Sequence, residues 1–379
     1  MRGPRTRTSL RAALATACFA LLAAAPADAY VGERVTIAVF GDSVAEGYTV
    51  PGPERQSLVP QVADTLVERG YERGGAGLIP LVPMRWSLGD WVPQTVRSRD
   101  PSAWRLVGLG GLPAFDGPSG YSGVSRAPAA RASAPVADTE VVLLFTTSEE
   151  HTVFTVTAGT RVWEIDAMAP GPPRPAQLRL ELPADASLLT VRGPRAGELT
   201  LSGAVGRRAP SPGRVQVEVS NLAHAGRYPQ FDNSPRVLRA IADQGYGVTV
   251  FLWSYNSELA TGIRPRPDDA AALYEIALLR RARLARASGG LCLIADSTPM
   301  PIPAAVRARF AAIHRRVASQ ARCTHTSVLS RLWSDPASSH RRGITQSDRV
   351  HPTPATYRRM ARALAPVLDR LVRQHSALL

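Results

Sequence analysis

Short apolar runs that alternate with helical patterns are the feature that most constrains this chain. Five runs, at 35–40, 215–221, 248–253, 291–296 and 327–332, have the length and composition of strands buried in a parallel sheet. Helical patterns cover 53–69, 234–244, 267–288 and 303–320, and a last one begins near 354. Right-handed crossovers between such strands give a three-layer α/β/α sandwich with a five-stranded parallel sheet.

One long stretch interrupts this alternation. Between 85 and 214 helical periodicity is poor, and Gly, Pro, Ser and Thr are abundant. Short segments at 140–145, 151–156, 176–182 and 198–201 are typical of antiparallel strands. We therefore predict an inserted antiparallel β-sandwich domain at 85–214, placed between the two parts of the α/β domain at 30–84 and 215–379.

The first residues are typical of a targeting signal. Arginines at positions 2, 5, 7 and 11 precede an apolar run at 12–25, and Ala27 and Ala29 supply the small residues that a signal peptidase needs before its cleavage site. A membrane anchor is the alternative, but the run is shorter than the roughly 20 residues that a spanning helix needs. We expect a signal peptide at 1–29 and a secreted or cell-wall-associated protein with no membrane span after its removal.

The charge of the chain is strongly positive. All 45 basic residues are arginine, the formal net charge is +14, and removal of residues 1–29 with their net +3 leaves +11. Such a charge favours salt-sensitive contact with anionic polymers, such as those of a cell wall. No aromatic-rich RNA motif or zinc-finger spacing accompanies the arginines, so no specific nucleic-acid partner is expected. The densest group, at 280–286, fits a solvated helix face.

Two cysteines remain once Cys18 leaves with the signal peptide. Cys292 lies in the fourth apolar run, and Cys323 precedes the fifth. If these strands are neighbours, the two residues can approach to disulfide distance, and an oxidising exterior permits the bond. Two separate buried thiols are the alternative that the sequence leaves open.

The chemistry-bearing residues lie near opposite ends of the chain. Ser43 follows the first apolar run, and Asp348 stands three residues before His351. A hydroxyl becomes a good nucleophile when an imidazole takes its proton, and a carboxylate fixes the productive tautomer of that imidazole. This pattern predicts Ser43 as nucleophile, His351 as base and Asp348 as its orienting carboxylate. A helix cap, a surface histidine and a turn cap are the corresponding structural alternatives.

Other catalytic patterns are missing from the sequence. There is no Gly-x-Ser-x-Gly elbow, no His-Glu-x-x-His, no Cys-x-x-Cys and no phosphate loop. We therefore expect neither a metal nor a cofactor.

Four sequence blocks together resemble the SGNH (GDSL) hydrolases. They are Gly41-Asp42-Ser43, the glycine Gly226, Asn256, and Asp348 to Pro352. The resemblance implies a flavodoxin-like α/β/α fold. It also implies an oxyanion hole made by the backbone N–H groups of Ser43 and Gly226 and the side-chain amide of Asn256.

A narrower resemblance concerns the branch that includes bacterial peptidoglycan O-acetylesterases. It is based on the sequence at 74–80 and on the β domain between the first and second blocks. This resemblance implies a jelly-roll-like fold for the β domain. The implied protein is a secreted serine esterase that removes acyl, above all acetyl, groups from an extracellular polysaccharide or a small molecule. The alternatives are a broader lipase or acyl esterase, a glycan O-acetyltransferase, and a catalytically silent wall-binding protein. His224 is assigned to packing rather than to substrate contact.

Overall fold

The computed structural model describes residues 34–47, 50–51, 53–80, 92–93, 96–100, 103–106, 122–128, 130–223, 229, 235–253, 267–296, 304–332 and 339–378. The predicted signal peptide lies outside the described residues, as do His224, Gly226 and Asn256.

The described residues include seven helices and eighteen strands. The helices are α1 (Ser43–Glu46), α2 (Pro53–Gln56), α3 (Leu58–Glu68), α4 (Pro235–Asp243), α5 (Pro267–Ala287), α6 (Ala304–Ala321) and α7 (Pro354–Ser376). The strands are β1 (Arg34–Gly41), β2 (Glu72–Arg73), β3 (Gly77–Pro80), β4 (Val92–Pro93), β5 (Val96–Asp100), β6 (Ala103–Leu106), β7 (Gly123–Ser125), β8 (Arg131–Pro135), β9 (Glu140–Thr147), β10 (Val153–Ala158), β11 (Arg161–Asp166), β12 (Arg174–Glu181), β13 (Leu188–Arg192), β14 (Leu199–Arg207), β15 (Gln216–Asn221), β16 (Val248–Leu252), β17 (Leu291–Ala295) and β18 (Thr324–Thr326). In this part of the chain no helix is long and apolar enough to cross a lipid bilayer.

A parallel sheet forms the centre of the α/β part. Its strand order is β18-β17-β16-β1-β15-β2, and every neighbouring pair is parallel. Without the edge strand β2, the order along the chain is 2-1-3-4-5, which is the flavodoxin-like order. Helices α3 and α7 contact each other, while α5 contacts both α4 and α6. The predicted α/β fold class is confirmed.

Two details of this sheet differ from the prediction. It has six strands instead of five, because Glu72–Arg73 pairs with β15 although its two residues are polar and only half-buried. The last strand is Thr324–Thr326, and the predicted strand at 327–332 is wrong because a turn begins after Ser327. Leu329 of this turn is fully buried in the core, so its apolar character reflects burial rather than strand pairing.

In the described residues, the β portion consists of the two-stranded antiparallel pair β5-β6 and of two larger antiparallel sheets. One has the order β11-β10-β13-β8, and the other has the order β12-β9-β14-β7-β4, with β3 also paired to β14. Side chains from both sheets form one apolar core, to which β9 contributes Val141, Leu143 and Phe145. The inserted antiparallel β structure predicted from the sequence is therefore present. The boundary at residue 85 stays a prediction, although β3 precedes it and belongs to the second sheet.

The central strands of the second antiparallel sheet, β9 and β14, are buried on both faces. Val142 and Leu144 of β9 alternate with the three side chains above and pack into the core of the parallel sheet, together with Val205 of β14. Polar contacts join the same parts of the molecule. Arg207 Nε lies 3.2 Å from Glu218 Oε2 of β15, and the N–H of Leu78 donates to Ser220 Oγ at 2.9 Å. This sheet thus contributes side chains to two apolar cores, one on each of its faces.

A disulfide joins Cys292 of β17 to Cys323, the residue before β18, with their Cα atoms 4.8 Å apart. The register of the two strands, in which Leu293 faces Thr324, brings the cysteines opposite each other. The bond closes a segment with a sequence separation of 31 residues that contains α6.

Replacing both cysteines, Cys292→Ala with Cys323→Ala, should lower the free energy of unfolding by about 3–4 kcal/mol, because the unfolded chain loses its cross-link. Denaturant unfolding with and without dithiothreitol measures this effect. The reductant should destabilise the wild type and leave the double variant unchanged. Equal wild-type curves in both conditions would contradict the prediction.

A buried hydrogen-bond network lies at the end of β17. Asp296 Oδ1 accepts from His314 Nδ1 of α6 and from His325 Nε2 of β18, each at 3.0 Å. The hydroxyl of Tyr274 on α5 lies 2.8 Å from His314 Nε2. Burial raises the pKa of the Asp296 carboxyl, but the bonds from the two imidazoles outweigh it and lower this pKa to about 2. The carboxylate therefore ties α6 to the sheet directly, and α5 through His314.

This depressed pKa predicts a pH-dependent stability. The contribution of Asp296 is present above the ordinary carboxyl pKa of 3.8 and is lost as the pH falls towards 2. Asp296→Asn should lower the free energy of unfolding by about 2 kcal/mol at pH 7, with a smaller deficit at pH 3. Urea unfolding across this pH range, with the exposed Asp185→Asn as control, measures it. A deficit that stays constant down to pH 2 would contradict the assignment.

Candidate active site

The first strand of the parallel sheet delivers Ser43 to the edge where ligands of open α/β sheets bind. β1 pairs with β15 on one side and with β16 on the other, so its carboxyl end lies where the strand order reverses. Asp42 caps α1, since its Oδ1 accepts from the N–H of Val44 at 3.0 Å. Because the cap is Asp42, the hydroxyl of Ser43, the first residue of α1, is not needed for capping.

The turn that carries Ser43 requires a glycine at position 41. A Cβ atom there would lie 2.2 Å from the carbonyl oxygen of Leu252 and 2.4 Å from Cβ of Ala45. The first of these atoms belongs to the backbone of β16 and cannot rotate away. Gly41 therefore lets the first turn of α1 pack directly against the neighbouring strand.

The loop before α7 brings His351 to the same place. Two backbone hydrogen bonds join the two sides of this loop. The N–H of Gln346 donates to the carbonyl of His351 at 2.8 Å, and the N–H of Thr353 donates to the carbonyl of Ile344 at 3.0 Å. The side-chain amide of Gln346 also donates to the carbonyl of Pro352 at 3.0 Å. Thr353 stands at the N-cap of α7, which starts with Pro354. The loop is thus braced by its own backbone.

These elements place three side chains in one hydrogen-bonded chain. His351 Nε2 lies 2.8 Å from Ser43 Oγ, and His351 Nδ1 lies 2.6 Å from Asp348 Oδ2. The other oxygen of Asp348 accepts from the N–H groups of Val350 and His351, each at 2.9 Å. In this arrangement Nδ1–H donates to the carboxylate, and Nε2 is left to accept the proton of the serine hydroxyl.

The carboxyl of Asp348 is held in its charged form. Partial burial raises the pKa of this carboxyl. The hydrogen bonds from the His351 side chain and from the two backbone N–H groups have a larger, opposite effect, so the pKa lies below its usual range. A carboxylate at this position favours the neutral tautomer described above and stabilises the imidazolium that forms when His351 takes a proton.

Two further residues next to the site were not predicted from the sequence. Asn221 at the end of β15 donates from Nδ2 to the carbonyl of Glu46 at 3.4 Å and accepts from the N–H of Ala223 at 3.1 Å. It therefore links the end of α1 to the chain that leads towards Gly226. A polar residue at the carboxyl end of a buried strand is the signal that could have identified it.

Tyr357 of α7 is the second of these residues, and it is fully buried. Burial, followed by the negative charges of Asp42, Glu46 and Asp348, raises the pKa of its hydroxyl well above the ordinary value. Tyr357 is therefore a neutral phenol that packs beneath the site. A tyrosine on the apolar stripe of the last helix gives no sequence signal for this position.

The predicted site residues thus have different outcomes. Ser43, Asp348 and His351 lie together, whereas Gly226, Asn256 and His224 lie outside the described residues. Within the described ranges, no group of three or more His, Cys, Asp or Glu side chains is arranged to hold a metal ion.

Comparisons with known proteins give matches at the level of structure. No protein-family model matches the sequence, and no curated protein is significantly similar to it. A solved structure of a peptidoglycan O-acetylesterase is 18% identical, with a TM-score of 0.65, and the match covers 90% of this chain and 93% of that one.

Two further solved structures are more distant. TesA is 21% identical over 41% of this chain and 81% of its own, with a TM-score of 0.33. A family two carbohydrate esterase from Cellvibrio japonicus is 12% identical over 78% of this chain and 98% of its own, with a TM-score of 0.32. The full-length match to the O-acetylesterase shows that this chain has the SGNH-hydrolase fold with antiparallel sheets added to it.

Proposed function

We propose that this protein is a serine ester hydrolase with Ser43, His351 and Asp348 as its catalytic triad. The observation that carries the proposal is the 2.8 Å contact between His351 Nε2 and Ser43 Oγ, whose residues are 308 positions apart in the chain. The 2.6 Å contact of Asp348 with the opposite ring nitrogen adds the third member in the order that the chemistry requires.

The proposed reaction has two halves. Ser43 Oγ attacks the ester carbonyl while His351 Nε2 takes the hydroxyl proton, and His351 then gives this proton to the departing alcohol oxygen. An acyl group remains bonded to Ser43. A water molecule, deprotonated by His351, attacks this acyl-enzyme, and the returned proton restores the serine hydroxyl as the carboxylic acid leaves.

The tetrahedral oxygen of each half needs hydrogen-bond donors. The N–H of Ser43 is one candidate, because the first N–H groups of a helix have no partner within that helix. Gly226 and the side-chain amide of Asn256 are the other two predicted donors. One such donor contributes about 2.7–4 kcal/mol of barrier lowering in comparable sites.

For the substrate, we propose acetyl esters on an extracellular or cell-wall polysaccharide. Three observations support this choice: the full-length similarity to a peptidoglycan O-acetylesterase, the signal-peptide pattern at 1–29, and the disulfide between Cys292 and Cys323, which fits an oxidising compartment. The antiparallel sheets would bind glycan, and the arginine excess would favour an anionic cell-wall polymer.

The nucleophile is tested with Ser43→Ala. This change should lower hydrolysis of p-nitrophenyl acetate by at least about 10³-fold and abolish labelling by a fluorophosphonate probe, because it removes the oxygen whose proton His351 takes. Ser319→Ala, an exposed serine on α6, serves as the control and should behave like the wild type. Retained activity in purified Ser43→Ala would overturn the assignment.

The same preparations separate the substrate classes. Acetate release from O-acetylated peptidoglycan and xylan, together with a preference for short acyl chains in a series of p-nitrophenyl esters, is the expected result. A preference for long chains would indicate a lipase, acyl transfer to an added sugar would indicate a transferase, and a wild type without fluorophosphonate labelling would be a binding protein.

The orienting carboxylate is tested with Asp348→Asn. The amide keeps an oxygen for the two backbone N–H groups, so the loop should fold, but its NH₂ cannot accept from His351 Nδ1. We expect kcat/KM to fall by about 10²- to 10⁴-fold with an unchanged melting temperature. Near-wild-type turnover would show that Asp348 does not act on His351.

A further inference from the structure

Arg349 is an exposed arginine on the loop that carries two residues of the proposed active site. It directly follows Asp348 and stands two residues before His351. Among the described residues, its backbone N–H donates to Gln346, but its guanidinium has no hydrogen bond or ion pair. The neighbouring carboxylate does not need this charge, because both oxygens of Asp348 already accept hydrogen bonds from the loop and from His351.

The backbone at Arg349 has an uncommon conformation. Its φ is 62°, which lies in the left-handed region that glycine adopts readily and that is unfavourable for residues with a Cβ. A loop selected for stability alone would favour glycine at this position. An outlier of this kind next to a catalytic histidine points to a functional role for the side chain.

The surroundings of Arg349 are also positively charged. Arg341 and Arg342 are exposed on the segment that leads to this loop, and Arg358 and Arg359 are exposed near the start of α7. The first turn of α7 holds no acidic residue, although the amino end of a helix favours acidic over basic side chains. Four exposed arginines thus lie within ten residues of Arg349 along the chain.

We propose that Arg349 is a specificity-determining residue that binds a carboxylate on the polysaccharide carrying the scissile ester. This inference rests on the proposed function and deepens it, since it names the substrate class as an acylated acidic polysaccharide. The planar guanidinium matches a carboxylate with two parallel hydrogen bonds. Standing two residues before His351 on the same loop, it would position the ester relative to Ser43 and would discriminate against neutral glycans.

The experiment compares acetate release from O-acetylated polygalacturonate, which is anionic, with release from O-acetylated xylan, which is neutral. The measured quantity is the ratio of the two kcat/KM values. Arg349→Gln should lower this ratio by about two- to fivefold in 20 mM salt, the range of one exposed ion pair, and the difference should shrink in 500 mM salt. Arg349→Lys keeps the charge but not the two parallel hydrogen bonds, so it should restore only part of the ratio.

Two further variants complete the design. Arg349→Gly removes the charge without backbone strain, so it should fold and lower the ratio as Arg349→Gln does. Arg315→Gln removes an exposed arginine on α6, which packs on β17 and β18, and should leave the ratio unchanged. An unchanged ratio in Arg349→Gln, or an equal fall in Arg315→Gln, would overturn the inference. A wild type inactive on both polymers would overturn the proposed function as well.

Discussion

The burial of β1 is the constraint on which the rest of the structure depends. This strand is hydrogen-bonded on both edges, and Ile37, Ala38, Val39 and Phe40 are almost completely removed from solvent. A strand held in this way has one register, because a shift of one residue would exchange its two faces. The position of Ser43, two residues after the end of β1, is therefore fixed by the core and not by the loop that follows.

The partner of Ser43 is positioned by a different element. α7 packs on α3 and contacts β1 and β16, and the loop carrying His351 ends at the first residue of this helix. The contact between Ser43 and His351 thus depends on two packed elements from opposite ends of the chain. This explains how a hydrogen bond can join residues so distant in sequence without a long flexible segment having to close over the site.

The antiparallel part is joined to the α/β part by a shared sheet. Because β9 and β14 have one face in each core, separating the two parts would expose side chains such as Val142, Leu144 and Val205. Each of these contributes about 1.5–3 kcal/mol by its burial. A glycan-binding role for the antiparallel sheets would therefore act from a position that is fixed relative to the parallel sheet.

Much of this architecture could be predicted because its elements have strong local patterns. The strands from Arg34, Gln216, Val248 and Leu291 are apolar runs, and the side chains of Ser43 and His351, chosen for their chemistry, lie within hydrogen-bonding distance. β2 could not be predicted because two polar residues carry no periodicity. A strand was wrongly predicted at 327–332 because apolar residues are buried in turns as well as in strands.

Features that depend on tertiary contacts were beyond the reach of the sequence. The uninterrupted apolar character of β9 is compatible with any strand buried on two faces, and only the folded chain shows that its two faces belong to different cores. His314 illustrates the same limit. It lies between Phe310 and Val317 on the buried face of α6, which predicts burial, but its partners Asp296 and Tyr274 come from other elements.

Two adjacent residues of the loop at 346–353, Asp348 and Arg349, carry opposite charges and have different surroundings. The carboxylate of Asp348 accepts three hydrogen bonds from its own loop, one of them from the imidazole of His351, so its negative charge acts on that imidazole. Arg349 has no such partner in the described part of the chain, and its charge is open to solvent. The negative charge supports proton transfer, while the positive charge one residue later is available to a substrate. Arg349 also differs from its neighbours in its left-handed backbone conformation, with a φ of 62°.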